Sequence, residues 1–224
     1  MELSENTLKV LKNYSNINNN VMIRKGNIIK TISEARNILS RATVNENFER
    51  DFGVYDLNEF IGVLGLVDTP RVKLEEDYAT VSDSTGRSKV KYFYSSEESL
   101  TTPQKDITMP EPEIKFTLDQ STLQKLKQAA SALGHEQLVI TPNEGLLTLT
   151  IADLENKTSN TYSIDIDGDY EAGSEFSLIL SIPNLKLLPG NYEVGISSKL
   201  ITEFKNTDID ISYWIALEKT SNFG

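Results

Sequence analysis

The densest set of side chains able to do chemistry is Asp165-x-Asp167-Gly168-Asp169-x-Glu171. Clustered carboxylates are the ligands that Ca²⁺ and Mg²⁺ prefer, and a divalent ion held among them would suit phosphodiester hydrolysis. The spacing does not fit an EF-hand loop, which needs Gly at its sixth position and Glu at its twelfth. Here Gly follows the second Asp directly. A strand ending in an Asp-Gly turn with solvated carboxylates accounts for the same residues. Ser84-Thr85-Gly86-Arg87-Ser88-Lys89 has phosphate-loop residue types but lacks the first Gly and the Gly-Lys-Ser/Thr order. It reads as a hairpin turn between two strands. Cysteine is absent and His135 is the only histidine. Disulfides, thiolate metal sites, Cys nucleophiles and multi-His centres are thereby excluded. No spacing singles out a catalytic pair, so the expectation is a protein that is not an enzyme and carries no cofactor and no metal.

The elements that must position these groups follow an α+β order. Ser4 can cap a helix over 5–16, with Leu8, Leu11 and Tyr14 on one side and Glu5, Lys9, Lys12, Asn13 and Asn16 on the other. Strand-like runs follow at 20–24, 27–32, 36–43 and 48–55. Asp56 then caps a helix over 57–66, and strands follow near 71–75, 78–83 and 88–94. Pro103, Pro110 and Pro112 mark an extended connector over 101–112 between domains 1–100 and 113–224. The second domain opens with a strand at 114–118. Asp119 caps a helix that Gly134 stops, and strands follow at 137–141, 145–151, 162–167 and 175–180. Ser181 is expected to cap a short fourth helix over 182–188. Strands at 191–197, 200–205 and 209–218 close the chain, the last with Ile209, Ile211, Tyr213, Ile215 and Leu217 alternating on one face. Each half thus reads helix, about four strands, short helix, three strands, and such an order suggests duplicated modules.

Charge adds a contrast. The 224 residues carry 22 Lys and Arg against 33 Asp and Glu, a net charge of −11. Residues 1–110 hold 14 basic and 16 acidic groups, whereas 111–224 hold 8 and 17. Taken alone, this balance argues against nucleic-acid binding, which needs Lys and Arg to meet phosphates. Yet the helix over 120–133 has two lysines and no acid, and the helix over 5–16 has two lysines and one acid. Two cationic helices at equivalent places in an acidic chain reverse the field locally. No segment reads as an export signal, and no apolar run approaches the length of a membrane span, so no membrane is expected and an intracellular protein is.

At this point the chain resembles the DNA polymerase sliding clamps of T-even-like phages, the processivity factors. The resemblance is carried by Met1-Glu-Leu-Ser, Leu11-Lys-Asn, Val54-Tyr-Asp-Leu-Asn-Glu-Phe-Ile-Gly-Val-Leu-Gly-Leu-Val67, Leu188-Pro-Gly-Asn-Tyr192 and Trp214-Ile-Ala-Leu-Glu218. It implies a clamp fold of two similar domains, each a doubled helix-plus-antiparallel-sheet unit. Three copies would form a ring, with helices lining the hole. It implies topological, sequence-independent contact with double-stranded DNA, and Lys9, Lys12, Asn13, Lys125, Lys127 and Lys186 as DNA-facing residues. The implied partners are the DNA polymerase, an ATP-driven clamp loader and further copies of the chain, with transcription factors left open. A peptide pocket is expected to be bordered by Ile107, Met109 and Pro110, and the host cell cytoplasm is the implied location. Two other readings stand beside it: a metal-dependent nuclease using the 165–171 carboxylates, and a β-rich virion structural protein.

Overall fold

The computed structural model describes residues 1–156 and 158–224. The chain divides into two units, Met1–Asp106 and Ile107–Gly224.

In the first unit the Ser4 hydroxyl accepts the Thr7 N–H and starts α1, Glu5–Ile17. The Glu46 side chain adds a remote cap. Its carboxylate accepts the Ser4 N–H and the Thr7 hydroxyl. α1 buries Thr7, Val10, Leu11, Tyr14 and Ile17, a stripe at helical spacing. β1 (Val21–Ile23), β2 (Gly26–Ile32), β3 (Ile38–Phe48) and β4 (Phe52–Val54) then form an antiparallel sheet in the order β4-β1-β2-β3. The sequence places two runs at 36–43 and 48–55. The chain instead forms one long strand and a short one, because inward positions continue through Ala42, Val44 and Phe48 before the chain turns. Asp56 caps α2, Leu57–Leu64, through the Glu59 N–H at 3.0 Å. β5 (Arg71–Leu74), β6 (Tyr78–Ser82) and β7 (Lys89–Phe93) make a second antiparallel sheet, with Glu2 bridged to Arg71 at its β5 edge.

The second unit repeats this plan. β8 (Ile114–Leu118) leads into α3, Gln120–Leu133. The Asp119 carboxylate accepts the Thr122 N–H, the Thr122 hydroxyl and the Ser121 hydroxyl. Gly134 ends the helix at φ 69°, a left-handed conformation that costs glycine little. β9 (Gln137–Asn143), β10 (Leu146–Ala152), β11 (Tyr162–Asp167) and β12 (Leu178–Ser181) pair as β12-β9-β10-β11. β13 (Tyr192–Ser197), β14 (Ile201–Asn206) and β15 (Ile211–Ala216) pair with β8 as β8-β13-β14-β15. Strands β1 to β7 therefore correspond one for one, in order and in pairing, to β9 to β15.

Each unit is itself doubled into modules of a helix or its substitute followed by three strands, and in three of the four modules a strand, β4, β8 or β12, precedes the helix position. In three of the four modules the tail after the last strand returns to bridge at or beside the first strand. Ser95 meets Gly53, Asp169 meets Lys115, and Asn222 meets Ser177.

One expected element is different. The fourth helix over 182–188 shrinks to a 3₁₀ turn, Ile182–Asn184, and the Ser181 side chain does not cap it. Beyond the turn, Leu185 and Leu187 are buried, the period of an extended chain. The Tyr213 hydroxyl accepts the Leu188 N–H at 3.2 Å, and the Tyr192 hydroxyl donates to the Leu188 carbonyl. These phenols take the backbone groups of Leu188 from two sides, and residues 185–190 lie as a strap.

Candidate nucleic-acid interface

The face of α1 away from its core presents Glu5, Lys9, Lys12 and Asn16. Lys9 and Lys12 are three residues apart and share one side of the helix. Asn13 does not join them. It is 8% exposed and lies on the buried side with Val10 and Tyr14. On α3 the exposed residues include Gln120, Ser121, Gln124, Lys125, Gln128 and Ser131. Lys125 is open, whereas Lys127 is half-buried, and burial pushes its amine below the usual lysine value. Lys186 is half-buried on the strap and not on a helix, as the loss of the fourth helix dictates. α2 has no basic residue.

Ion pairing separates these lysines from other cations of the chain. Arg24 pairs with Asp51 and Glu97, Lys30 with Asp106, Arg71 with Glu2, Lys73 with Glu75, and Lys115 with Glu111. Among the described residues, Lys9, Lys12, Lys125 and Lys127 make no ion pair. Their charge is therefore available to an anion from outside.

The remaining sequence-derived groups fall elsewhere. Asp165 and Asp167 project from the exposed face of β11, and Asp165 accepts hydrogen bonds from Thr148 and Asn143. Among the described residues no three His, Asp or Glu side chains converge to hold a metal ion. Residues 84–88 form the turn between β6 and β7, and the Asp83 carboxylate accepts the Arg87 N–H there at 3.0 Å. His135 bonds through Nε2 to the Asn160 carbonyl at 2.9 Å. Ile107, Met109 and Pro110 are half-buried on an irregular segment. A groove of about 900 Å³ in the second unit is lined from Pro112 onward, with β8, β11, β13 and β14, and not by those three.

Sequence reasoning missed an outward face on β7. Lys89, Lys91 and Phe93 point away from the core, with Phe93 68% exposed. The Lys91 amine lies 4.6 Å from the Tyr78 ring centre. The Lys-x-Lys-x-Phe alternation was the available signal. In the described pairings β7 is bonded only to β6 and β11 only to β10, so each offers an open edge.

Two units, each doubled into helix-and-sheet modules and each carrying one cationic helix, have the architecture of a clamp fold. The same architecture appears in the structure of the C-terminal region of FEN-1 bound to A. fulgidus PCNA, with a TM-score of 0.72 at 13% identity over 99% of this chain and 98% of that one. Proliferating cellular nuclear antigen from Entamoeba histolytica aligns with a TM-score of 0.66 at 13% identity over 94% of each chain. Residues 4–101 match the DNA polymerase processivity factor family, and residues 115–219 match the gp45 sliding clamp C-terminal family. The chain is 27% identical over 223 residues to the sliding clamp of Vibrio phage KVP40, covering 97% of this chain and 99% of that one. It is 27% identical over 229 residues to that of Escherichia phage RB69, covering 99% and 98%. The chain belongs to the phage sliding-clamp family of DNA polymerase processivity factors, which serve DNA replication without catalysis. None of these matches points to a nuclease or a virion protein.

Proposed function

We propose that three copies of this chain close head to tail around duplex DNA and hold the replicative polymerase at the primer end. The observation that carries this reading is the set of unpaired lysines on α1 and α3. Lys9, Lys12, Lys125 and Lys127 meet phosphates of any sequence, so contact is weak and the ring slides. Tethering raises the local concentration of polymerase and so lengthens synthesis. Head-to-tail contacts that close under rotation give a ring and not a filament.

The open edges of β7 and β11 support that closure. Lys89 and Lys91 on one meet Asp165 and Asp167 on the other, and opposite charges across paired strands contribute about 0.2–1 kcal/mol each. A closed ring needs an ATP-driven loader to pass DNA. Ile107, Met109 and Pro110 border the surface offered to a polymerase peptide, and the site of action is the cytoplasm of the infected host cell. Purified protein with loader and ATP should lengthen polymerase products on a primed circular template, and unchanged products refute the reading. Lys125→Glu with Lys127→Glu should impair this and leave assembly intact, whereas equal loss of assembly assigns those lysines a structural role.

A further inference from the structure

We infer that the contact between Lys30 and Asp106 is a latch that positions the connector and thereby sets how tightly the surface bordered by Ile107, Met109 and Pro110 takes a partner, an inference that rests on the peptide reading above. The connector has two firm ends. In the first unit the Thr101 N–H donates to the Asn20 side chain at 2.9 Å, and the Thr101 carbonyl accepts the Asn18 amide at 3.0 Å. Asn18 is itself buried and donates to the Ile32 carbonyl as well. In the second unit the Glu113 carboxylate accepts both the N–H and the hydroxyl of Ser198. Between these ends the Asp106 carboxylate accepts the Lys30 amine of β2.

The sheet gives that carboxylate a reason to sit there. Lys30 on β2 lies directly opposite Arg41 on β3. Like charges facing each other across paired strands are destabilising, and an anion beside them offsets the repulsion. Asp106 is the only acid among residues 101–110. Lys30 first, and then Arg41, hold its carboxyl below the usual carboxylate value. The Asp106 side chain is 76% exposed, so the pair is screened and exchanges readily, as a latch must. Opening it lengthens the free span before Glu113 from residues 107–112 to residues 102–112, six residues to eleven. The cost of ordering a loop grows as three-halves of the logarithm of its length, so a partner that fixes the connector then binds about 2.5-fold more weakly.

The test uses the full-length protein and trypsin, which cuts after the exposed Lys105, one residue before the latch. Lys30→Gln leaves that peptide bond unchanged and relieves the repulsion on Arg41, so the fold is retained. Cleavage after Lys105 should rise about two- to threefold over wild type at low salt. The difference should vanish at about 1 M salt, and Lys30→Arg should cleave as wild type does. Purified replicative polymerase without DNA should bind Lys30→Gln and Asp106→Asn about 2.5-fold more weakly, and the double variant no more weakly than either single. Unchanged cleavage in Lys30→Gln overturns the inference, as does faster cleavage with unaltered polymerase affinity, and both results spare the peptide reading. Weaker polymerase binding without faster cleavage overturns it too, and assigns Lys30 to direct contact. Polymerase that fails to bind the wild type removes the peptide reading and this inference together.

Discussion

Replacing Asp119 tests how the lysine-bearing helix α3 is held. The carboxylate accepts hydrogen bonds from the Thr122 N–H at 2.8 Å, the Thr122 hydroxyl at 2.8 Å and the Ser121 hydroxyl at 2.7 Å. The Ser121 hydroxyl first, then the Thr122 groups, draw its pKa down from 3.8 to about 2. Converting that drop in full would give roughly 2.4 kcal/mol. The group is open to solvent, so screening reduces it to about 1 kcal/mol, in line with the usual cost of losing an N-cap. Asp119→Ala should therefore speed hydrogen exchange over the first turn of α3 about fivefold at neutral pH. A carboxylate held below its free value stabilises above the unfolded pKa and loses that effect as pH falls through the folded one. The difference between wild type and Asp119→Ala should thus be full above pH 4 and shrink towards pH 2. Asp119→Asn should keep most of the cap, because an amide oxygen also accepts the Thr122 N–H, but lose the acid dependence. An Asp119→Ala difference that stays constant from pH 7 to pH 2, or an Asn variant as frayed as the Ala variant, refutes the reasoning.

Three other outcomes follow from the same geometry. Lys91→Asp or Asp165→Lys alone should raise ring dissociation by up to about fivefold per contact. The double swap should restore it, and light scattering that finds the double no better than either single rejects the β7–β11 pairing. Gly53→Ala should cost about 1–3 kcal/mol, because the new Cβ runs into the Ser95 carbonyl where the module closes; an unchanged melting temperature contradicts it. Tyr213→Phe should cost about 1–3 kcal/mol by orphaning the Leu188 N–H, read as faster exchange of that amide, and unchanged protection there counts against the strap's anchoring.

Much of the fold was legible because its signals are local. Ser4, Asp56 and Asp119 do cap α1, α2 and α3, and Gly134 does end α3. Period-two apolar runs mark the strands. The fourth helix was not legible, because Leu185, Leu187 and Leu188 satisfy a helical and an extended pattern equally. The phenols that decide between the two come from Tyr192, four residues further on at the start of β13, and from Tyr213 on β15, which only the pairing of both strands with β14 brings near. The DNA-facing set was legible as residue types but not as exposure. Asn13 is polar yet buried, and Lys127 is charged yet half-covered. No pattern on a single helix distinguishes such residues from their exposed neighbours. The open edges of β7 and β11 depend on which strands pair, and a lone strand does not reveal its neighbours.

The return of the tail to the first strand in three of the four modules has a consequence for how such proteins diversify. The fourth module keeps its Ser177–Asn222 bridge although its helix has dwindled to one turn. Closure therefore resides in the sheets, and the helix is a replaceable insert between fixed strand ends. Selection is free to lengthen, recharge or delete any one of these inserts separately, changing what the inner surface grips while the strand framework is inherited whole.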